Sequence, residues 1–151
     1  MKFTCSAEIN LPVNKVVELF MDKNNFKEWK KDFVNFEHIS GTLNNAGSTD
    51  KIVFKRVTLV ETVISNNLPS EISYVYEHKR GNKTIMIHKA SNRFTPLQEN
   101  KTLYELDSEM TKVFGLLPKI IMGLMKGAGN KYVQDQLNQF KEFAEKQNAK
   151  Y

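Results

Sequence analysis

The sequence predicts an α+β domain in which an antiparallel sheet packs on one long C-terminal helix. Three observations predict this fold class. Apolar residues alternate with a period of two from residue 33 to residue 113, as in half-buried strands. The breaks between the alternating runs are short and rich in Asn, Gly and Pro, which favours antiparallel connections. A final stretch of about 30 residues keeps the apolar spacing of a helix.

The N-terminal part predicts one strand followed by two short helices. Residues 2–9 alternate between apolar and polar side chains, and Pro12 then suits the first turn of a helix. An apolar stripe at i, i+3, i+4 and i+7 follows, formed by Val13, Val16, Val17 and Phe20. Asn25 and Glu28 have the spacing of a capping pair and predict a second helix, whose inward side carries Trp29.

The central part predicts further strands, and the end of the chain predicts the long helix. The strands are expected at residues 34–41, 50–55, 58–65, 72–78, 84–95 and 102–111. The helix is expected from the apolar series between Leu117 and Ala144, with Pro118 in its first turn. Such a helix must bury its apolar stripe, and the sheet is the large partner available. A curved sheet and a straight helix leave space between them, which large side chains fill or which remains as a cavity.

Composition limits the function classes. Only three of the 22 basic residues are arginine, and arginine is the residue suited to bidentate phosphate and base contacts. Specific nucleic-acid recognition is therefore not expected. The lone Cys5 and the absence of a secretory signal pattern predict a cytoplasmic protein. The histidines show no metal-ligand spacing, so neither a metal site nor another cofactor is predicted.

Four stretches resemble the START-like superfamily, which includes the birch-pollen-allergen-like proteins and the polyketide cyclase/dehydrase-like (SRPBCC) proteins. They are EINLPVNKVVELFMDKNNFKEW, TVISNNLPSEISYVYE, NRFTPLQENKTLYELDSEM and the helix end QFKEFAE. The resemblance covers residues 1 to 147 and implies a single domain over residues 1–151. It implies the helix-grip fold, in which a seven-stranded antiparallel sheet wraps around the C-terminal helix, with two short helices after the first strand.

The resemblance also implies a function. Its commonest form is the binding or transport of a small hydrophobic or amphipathic molecule in the cavity between the sheet and the helix. Other members are cyclases or dehydratases, and others are co-chaperones or lipid carriers. We expect a carrier or sensor rather than an enzyme, acting as a monomer or homodimer.

Strand alternation and the helix stripe suggest which side chains face the cavity, although a shift of one residue exchanges the two faces of a strand. On the first central strand, Val34 and Phe36 are expected to point inward together with His38. The candidate ligand-binding residues are Trp29, Phe36, Phe54, Glu61, Tyr74, Tyr76, Met86, His88, Tyr104, Met122 and Met125.

Two alternative functions stay open. A cyclase or dehydratase would need acid–base groups facing one another, and Glu61, His88, Tyr74 and Tyr104 are the candidates for this role. Glu61 could equally lie at an edge or point outward, so no catalytic residue is assigned. An interaction module, resembling a co-chaperone or making weak contact with an anionic membrane surface, would use the hairpin after residue 78. Its residues 79–98 contain no acid but five cations: Lys79, Arg80, Lys83, Lys89 and Arg93.

Three glycines in the stretch GLMKGAGNKY interrupt the predicted C-terminal helix, at Gly123, Gly127 and Gly129. Inside a helix, glycine is about 1 kcal/mol less favourable than alanine, so we expect these glycines to have a compensating role in packing or function. A phosphate-binding loop is excluded because no GK[ST] sequence follows, and lysines interrupt any membrane-packing pattern. Either this segment is a movable gate to the cavity, or it packs closely against the sheet.

Overall fold

A computed structural model describes residues 2–115 and 126–148, except for the side chains of residues 126–128 and 148. The elements confirm the predicted order of one strand, two short helices, six strands and a C-terminal helix. They are β1 (Lys2–Ile9), α1 (Val13–Met21), a 3-10 turn (Lys23–Asn25), α2 (Phe26–Trp29), β2 (Phe33–Ser40), β3 (Thr49–Phe54), β4 (Thr58–Asn67), β5 (Glu71–Arg80), β6 (Lys83–Gln98), β7 (Lys101–Val113) and α3 (Lys126–Asn148).

The seven strands form one antiparallel sheet in the order β1-β7-β6-β5-β4-β3-β2. Strands β2 to β7 follow one another as hairpins, while β1 joins the far edge by pairing with β7. In that pair Phe3 lies opposite Ser108 and Ile9 lies opposite Thr102. The predicted helix-grip fold is confirmed, because the helices cover one face of this sheet and α3 packs on it.

The covered face of the sheet and the helices share one apolar core. Helix α1 buries Val16 and Leu19, and α3 buries Leu137, Phe140, Phe143 and Ala144. The ring of Phe20 lies at the centre, with centroids 5.3 to 6.1 Å from the rings of Phe94, Phe140, Tyr104 and Trp29. The contact with Trp29 is stacked and the other three are edge-to-face, and both geometries stabilise beyond the burial of apolar area. None of the described helices is long and apolar enough to span a membrane.

The glycine stretch is partly explained by packing. A Cβ atom added at Gly129 would lie 2.8 Å from Cζ of Phe3 on β1, closer than carbon atoms approach. One residue further along the helix, Asn130 Oδ1 lies 3.3 Å from the sulfur of Cys5. At Gly129 the helix therefore packs closely on β1, as one of the two alternatives predicts. Gly123 lies outside the described residues.

Asn25 is the N-cap residue of α2, as the sequence predicts, but the capping hydrogen bond of the predicted pair is not formed. The Asn25 side chain makes no capping hydrogen bond to α2, and its Nδ2 donates instead to the carbonyl oxygen of Leu19 at 3.1 Å. The side chain that accepts a backbone N–H in this region is Asp22, which bonds the N–H of Asn24 at 3.0 Å and opens the 3-10 turn. The side-chain cap of this region therefore belongs to the 3-10 turn, three residues before the N-cap position of α2.

The predicted inward direction of Val34 is also wrong. Val34 is 56% exposed, whereas Phe33 and Phe36 pack against the core. The cause is an irregularity in the pairing of β2 with β3 between Phe33 and Asn35. A bulge adds one residue and exchanges the faces of the residues before it.

The cations of the β5–β6 hairpin are partly neutralised. Lys79 lies 3.7 Å from Glu77 on its own strand, and Arg93 pairs with Asp107 and Glu105 on the neighbouring β7. These acids lie outside the acid-free segment in sequence but beside it in space. The hairpin therefore carries less unpaired charge than its sequence indicates, which removes part of the reason for a membrane-binding edge.

Candidate functional site

A cavity of about 650 Å³ lies between the concave face of the sheet and α3. Its walls come from strands β1 and β3 to β7 and from α3, and side chains of α1, α2 and the residues that follow α2 contribute to its lining. Most lining side chains are apolar or aromatic. They include Phe3, Phe20, Trp29, Ile52, Phe54, Val57, Leu59, Tyr76, Met86, Ala90, Tyr104, Leu106, Met110, Tyr132, Val133 and Leu137.

One buried polar pair lies on the cavity wall. Asn92 on β6 and Tyr104 on β7 are 4% and 3% exposed, and the Tyr104 hydroxyl donates to Asn92 Oδ1 at 2.7 Å. Burial raises the pKa of Tyr104, so the phenol stays protonated and remains a donor. The pair satisfies its own hydrogen bond, and its phenol is therefore not free to act as an acid on a bound molecule.

Two histidines from neighbouring strands meet on the same wall. Nε2 of His78 and Nδ1 of His88 lie 2.5 Å apart, and the ring of Tyr76 stacks on His88 with centroids 4.7 Å apart. Burial lowers the pKa of His78 to about 4. Burial, together with the neighbouring His78, lowers the pKa of His88 to about 3. Both imidazoles are therefore neutral at pH 7, and a base of such low pKa takes up a proton poorly.

The cavity lining also has a cationic part formed by Lys30, Lys31 and Arg56, with Asp32 beside them. Nζ of Lys30 lies 4.3 Å from the ring of Trp29, a cation–π contact. Burial lowers the pKa of Lys30 to about 8, and Lys23 adds to this effect while Glu61 opposes it. Among the described residues, no atom accepts a hydrogen bond from Nε1 of Trp29.

Two buried carboxylates lie on the covered face of the sheet but outside the cavity lining. Glu61 is 3% exposed and lies opposite both Asp50 and Tyr76 in the sheet. Its Oε1 lies 3.7 Å from Nζ of Lys23. Asp50 is paired with His38, whose Nδ1 donates to Oδ1 at 2.6 Å. Glu61 thus points inward, and Lys23 supplies the opposite charge that a buried carboxylate requires.

The predicted ligand-binding residues divide into three groups. Six of them line the cavity: Trp29, Phe54, Tyr76, Met86, His88 and Tyr104. Three are buried or partly buried near it and are not on its lining: Phe36, Glu61 and Tyr74. Met122 and Met125 lie outside the described residues. The enzyme candidates Glu61, His88, Tyr74 and Tyr104 are therefore not brought to one point of the cavity wall.

Sequence reasoning missed His78, Lys30 and Tyr132 on the lining. A signal for His78 exists, because it continues the alternating inward series of Tyr74 and Tyr76 on the same strand. Lys30 and Tyr132 show no such signal, since a lysine after a short helix and a tyrosine on a helix are ordinary surface residues.

The curved sheet, the long helix across it and the apolar cavity between them define a helix-grip protein with an internal cavity. The family described as "Polyketide cyclase / dehydrase and lipid transport" matches residues 1–145, and the chain belongs to this family. The family resemblance predicted from the sequence is thus confirmed. The comparison with curated proteins gives no match.

Several solved structures share the fold. A conserved protein from Geobacillus kaustophilus is 14% identical, with a TM-score of 0.79 over 97% of this chain and 96% of the other. The Zhui aromatase/cyclase from Streptomyces sp. R1128 is 14% identical, with a TM-score of 0.76 over 96% and 93%. A protein from Thermus thermophilus, TTHA0849, is 16% identical, with a TM-score of 0.73 over 95% and 97%. At these identities the similarity establishes the fold alone.

Proposed function

We propose that the protein binds a small hydrophobic or amphipathic molecule in the cavity between the sheet and α3. The observation that carries the proposal is the cavity itself, with about 650 Å³ of space and a mainly apolar lining. Ligand pockets commonly measure roughly 300 to 1,000 Å³ and combine apolar walls with a few polar groups. A packed core would not leave a void of this size, because unfilled space destabilises a fold.

The polar groups of the lining favour an amphipathic ligand. Trp29 has an unpaired N–H, and the ammonium of the adjacent Lys30 contacts only aromatic faces among the described residues. A ligand carboxylate or other acceptor at this position would satisfy both groups and would restore a higher pKa to Lys30. The apolar part of the ligand would then extend along Phe54, Leu59 and Val133.

A cavity-filling variant tests the proposal. Ala90 lies on the lining and is 6% exposed, whereas its neighbour Lys89 points outward. Ala90→Phe should abolish the binding of an apolar fluorescent probe such as anilinonaphthalene sulfonate, and Lys89→Phe is the matched control that adds the same ring outside. Native mass spectrometry of the purified protein should show a bound small molecule that Ala90→Phe loses. Equal probe affinity in two folded variants, checked by circular dichroism, would refute a ligand site in this cavity.

A cyclase or dehydratase activity is the second candidate, favoured by the contact of Tyr76 with His88 on the cavity wall. The low pKa of His88 argues for a hydrogen-bonding role rather than strong general-base catalysis. The test is the loss of water from a β-hydroxycarbonyl compound, with His88→Phe as the variant. If His88→Phe leaves the turnover unchanged, His88 takes no part in the reaction. If the parent protein shows no turnover above the rate in buffer, the cyclase or dehydratase candidate fails and ligand binding remains the proposed function.

A further inference from the structure

One end of the cavity lining carries more positive than negative charge. Its cations are Lys30, Lys31 and Arg56. Asp32 is the one acidic side chain that the described residues contribute to the lining, and its Oδ1 lies 4.0 Å from Nζ of Lys55, a residue off the lining. The lining cations therefore outnumber the acids available to them inside the cavity.

Two neighbouring turns bring these cations to the same end of the cavity. Residues 30–32 follow α2, and residues 55–57 follow β3. The backbone N–H of Lys55 donates to the carbonyl oxygen of Asp32 at 3.0 Å and joins the two turns. The two outer cations, one from each turn, are exposed, whereas Lys30 is partly buried. A charged group bound here would therefore touch both solvent and the cavity.

Lys30 has aromatic neighbours where an acid would be expected. Its Nζ lies 4.3 Å from the ring of Trp29 and 4.6 Å from the ring of Phe26, and both side chains are buried. Among the described residues Nζ has neither a hydrogen-bond acceptor nor an ion pair. The residues outside this description, 1, 116–125 and 149–151, include no Asp or Glu. The chain thus supplies no acidic side chain as a direct partner for this ammonium.

An ammonium in this position destabilises the fold unless something binds it. Removing it from water costs free energy, and cation–π contacts offset only part of that cost. Burial accordingly lowers the pKa of Lys30 to about 8, although the charge of Glu61 opposes the shift. Glu61 itself is paired with Lys23 at 3.7 Å. Groups that lower stability without an evident gain in packing are typical of functional sites.

We propose that the ligand is an anionic amphiphile whose carboxylate or phosphate head is bound by Lys30, Lys31 and Arg56, with its apolar chain in the cavity. The inference rests on the proposed ligand-binding function and adds the sign of the ligand charge and the residues that select it. Arginine binds either head group through two parallel hydrogen bonds, and lysine supplies a point charge. A neutral ligand would leave the cations uncompensated, and a cationic ligand would be repelled.

Four ligands with the same ten-carbon chain test the sign of the charge: decanoate, decyl phosphate, 1-decanol and decylammonium. Trp29 is the one tryptophan of the chain and lines the cavity beside Lys30, so its fluorescence follows binding without an added probe. At pH 7 at least one of the two anions should bind about 10-fold or more tightly than 1-decanol, because hydrogen bonds to charged groups are the strong ones. Decylammonium should bind most weakly, and the tighter anion identifies the head group.

Variants that remove one charge each locate the head group. Lys30→Met keeps the apolar stem and should reduce the preference for the anion over 1-decanol by about 10-fold. Lys31→Gln and Arg56→Gln should each reduce it by about 2- to 5-fold, because these side chains are exposed. Lys27→Gln is the matched control, since it removes the same charge from an exposed position of α2 off the lining. It should leave the preference unchanged.

The outcomes separate this inference from the proposed function. Equal affinity for the two anions and 1-decanol overturns the inference, while cavity binding stands. A preference for the anion that Lys30→Met and Arg56→Gln leave unchanged also overturns it, because the head group would then lie elsewhere. Failure of all four ligands to bind overturns both proposals.

The stability of Lys30→Met without ligand is an independent readout. The variant should unfold in urea at the same or a higher midpoint than the parent protein, because it removes an ammonium that has no acidic partner. A lower midpoint would show that the ammonium stabilises the fold through its aromatic contacts, and the reason for a ligand head group at Lys30 would be lost.

Discussion

Replacing Gly129 by alanine should destabilise the protein, although alanine is the better helix former. The added Cβ would lie 2.8 Å from Cζ of Phe3, so the ring or the helix must move. Overpacking of this kind costs about 1 to 3 kcal/mol. The gain in helix propensity is about 1 kcal/mol. The difference predicts a net loss of about 0 to 2 kcal/mol in the free energy of unfolding.

Phe3→Leu supplies the control for this prediction, because leucine lacks the ring atom that the new Cβ would meet. In the Phe3→Leu background Gly129→Ala should stabilise by up to about 1 kcal/mol, the full propensity gain. The two substitutions should thus show a coupling energy within the range of about 0.5 to 3 kcal/mol found for residues in contact. Urea unfolding of the four proteins measures it. Equal effects of Gly129→Ala in both backgrounds would show that Phe3 does not restrict this helix position.

Two further predictions concern charge. Lys23→Met should destabilise by an amount toward the lower end of about 3 to 5 kcal/mol, because buried Glu61 loses its partner at 3.7 Å. Adding Glu61→Gln should recover part of the loss in urea unfolding, and a single variant as stable as the parent would contradict the pairing. The imidazole NMR signals of His78 and His88 should not titrate between pH 5 and 8, whereas His38, whose pKa the Asp50 hydrogen bond raises, should titrate above 6.5. With pKa values lowered from 6.5 to about 4 and about 3, His78 and His88 bind fewer protons in the folded chain than in the unfolded chain. These two side chains should therefore make the folded state less stable as the pH falls from 6.5 toward 4, and a titration of His88 near 6.5 would contradict its burial.

The faces of the central strands could be predicted from the sequence because the period of a strand is two. On β6 the series through Met86 and His88 faces the cavity, and on β7 Tyr104 does so, as the alternation indicates. The reasoning succeeds where one face of a strand is apolar over several residues. It fails at Val34, since a single irregularity in β2 exchanges the faces and leaves no mark in the pattern.

The parts of the site that depend on pairing could not be predicted. The contact between His78 and His88 needs the register of the β5–β6 hairpin and the irregularity after His78, neither of which composition reveals. The acids that neutralise Arg93 come from β7, because proximity in a sheet is not proximity in sequence. The alternation leaves the inward position of Glu61 open, and only the placement of Lys23 shows how its charge is compensated.

The pairing of β1 with β7 has a consequence for how the protein forms. Lys2 lies opposite Glu109, so β1 cannot pair with the sheet until β7, the last strand, is present. Closing such a long loop costs chain entropy before any contact offsets it, and distant pairings of this kind slow folding. During synthesis the apolar face of β1 stays uncovered until the ribosome has released β7 and α3. A growing chain therefore has no complete cavity, and binding can begin only after almost the whole domain has been made.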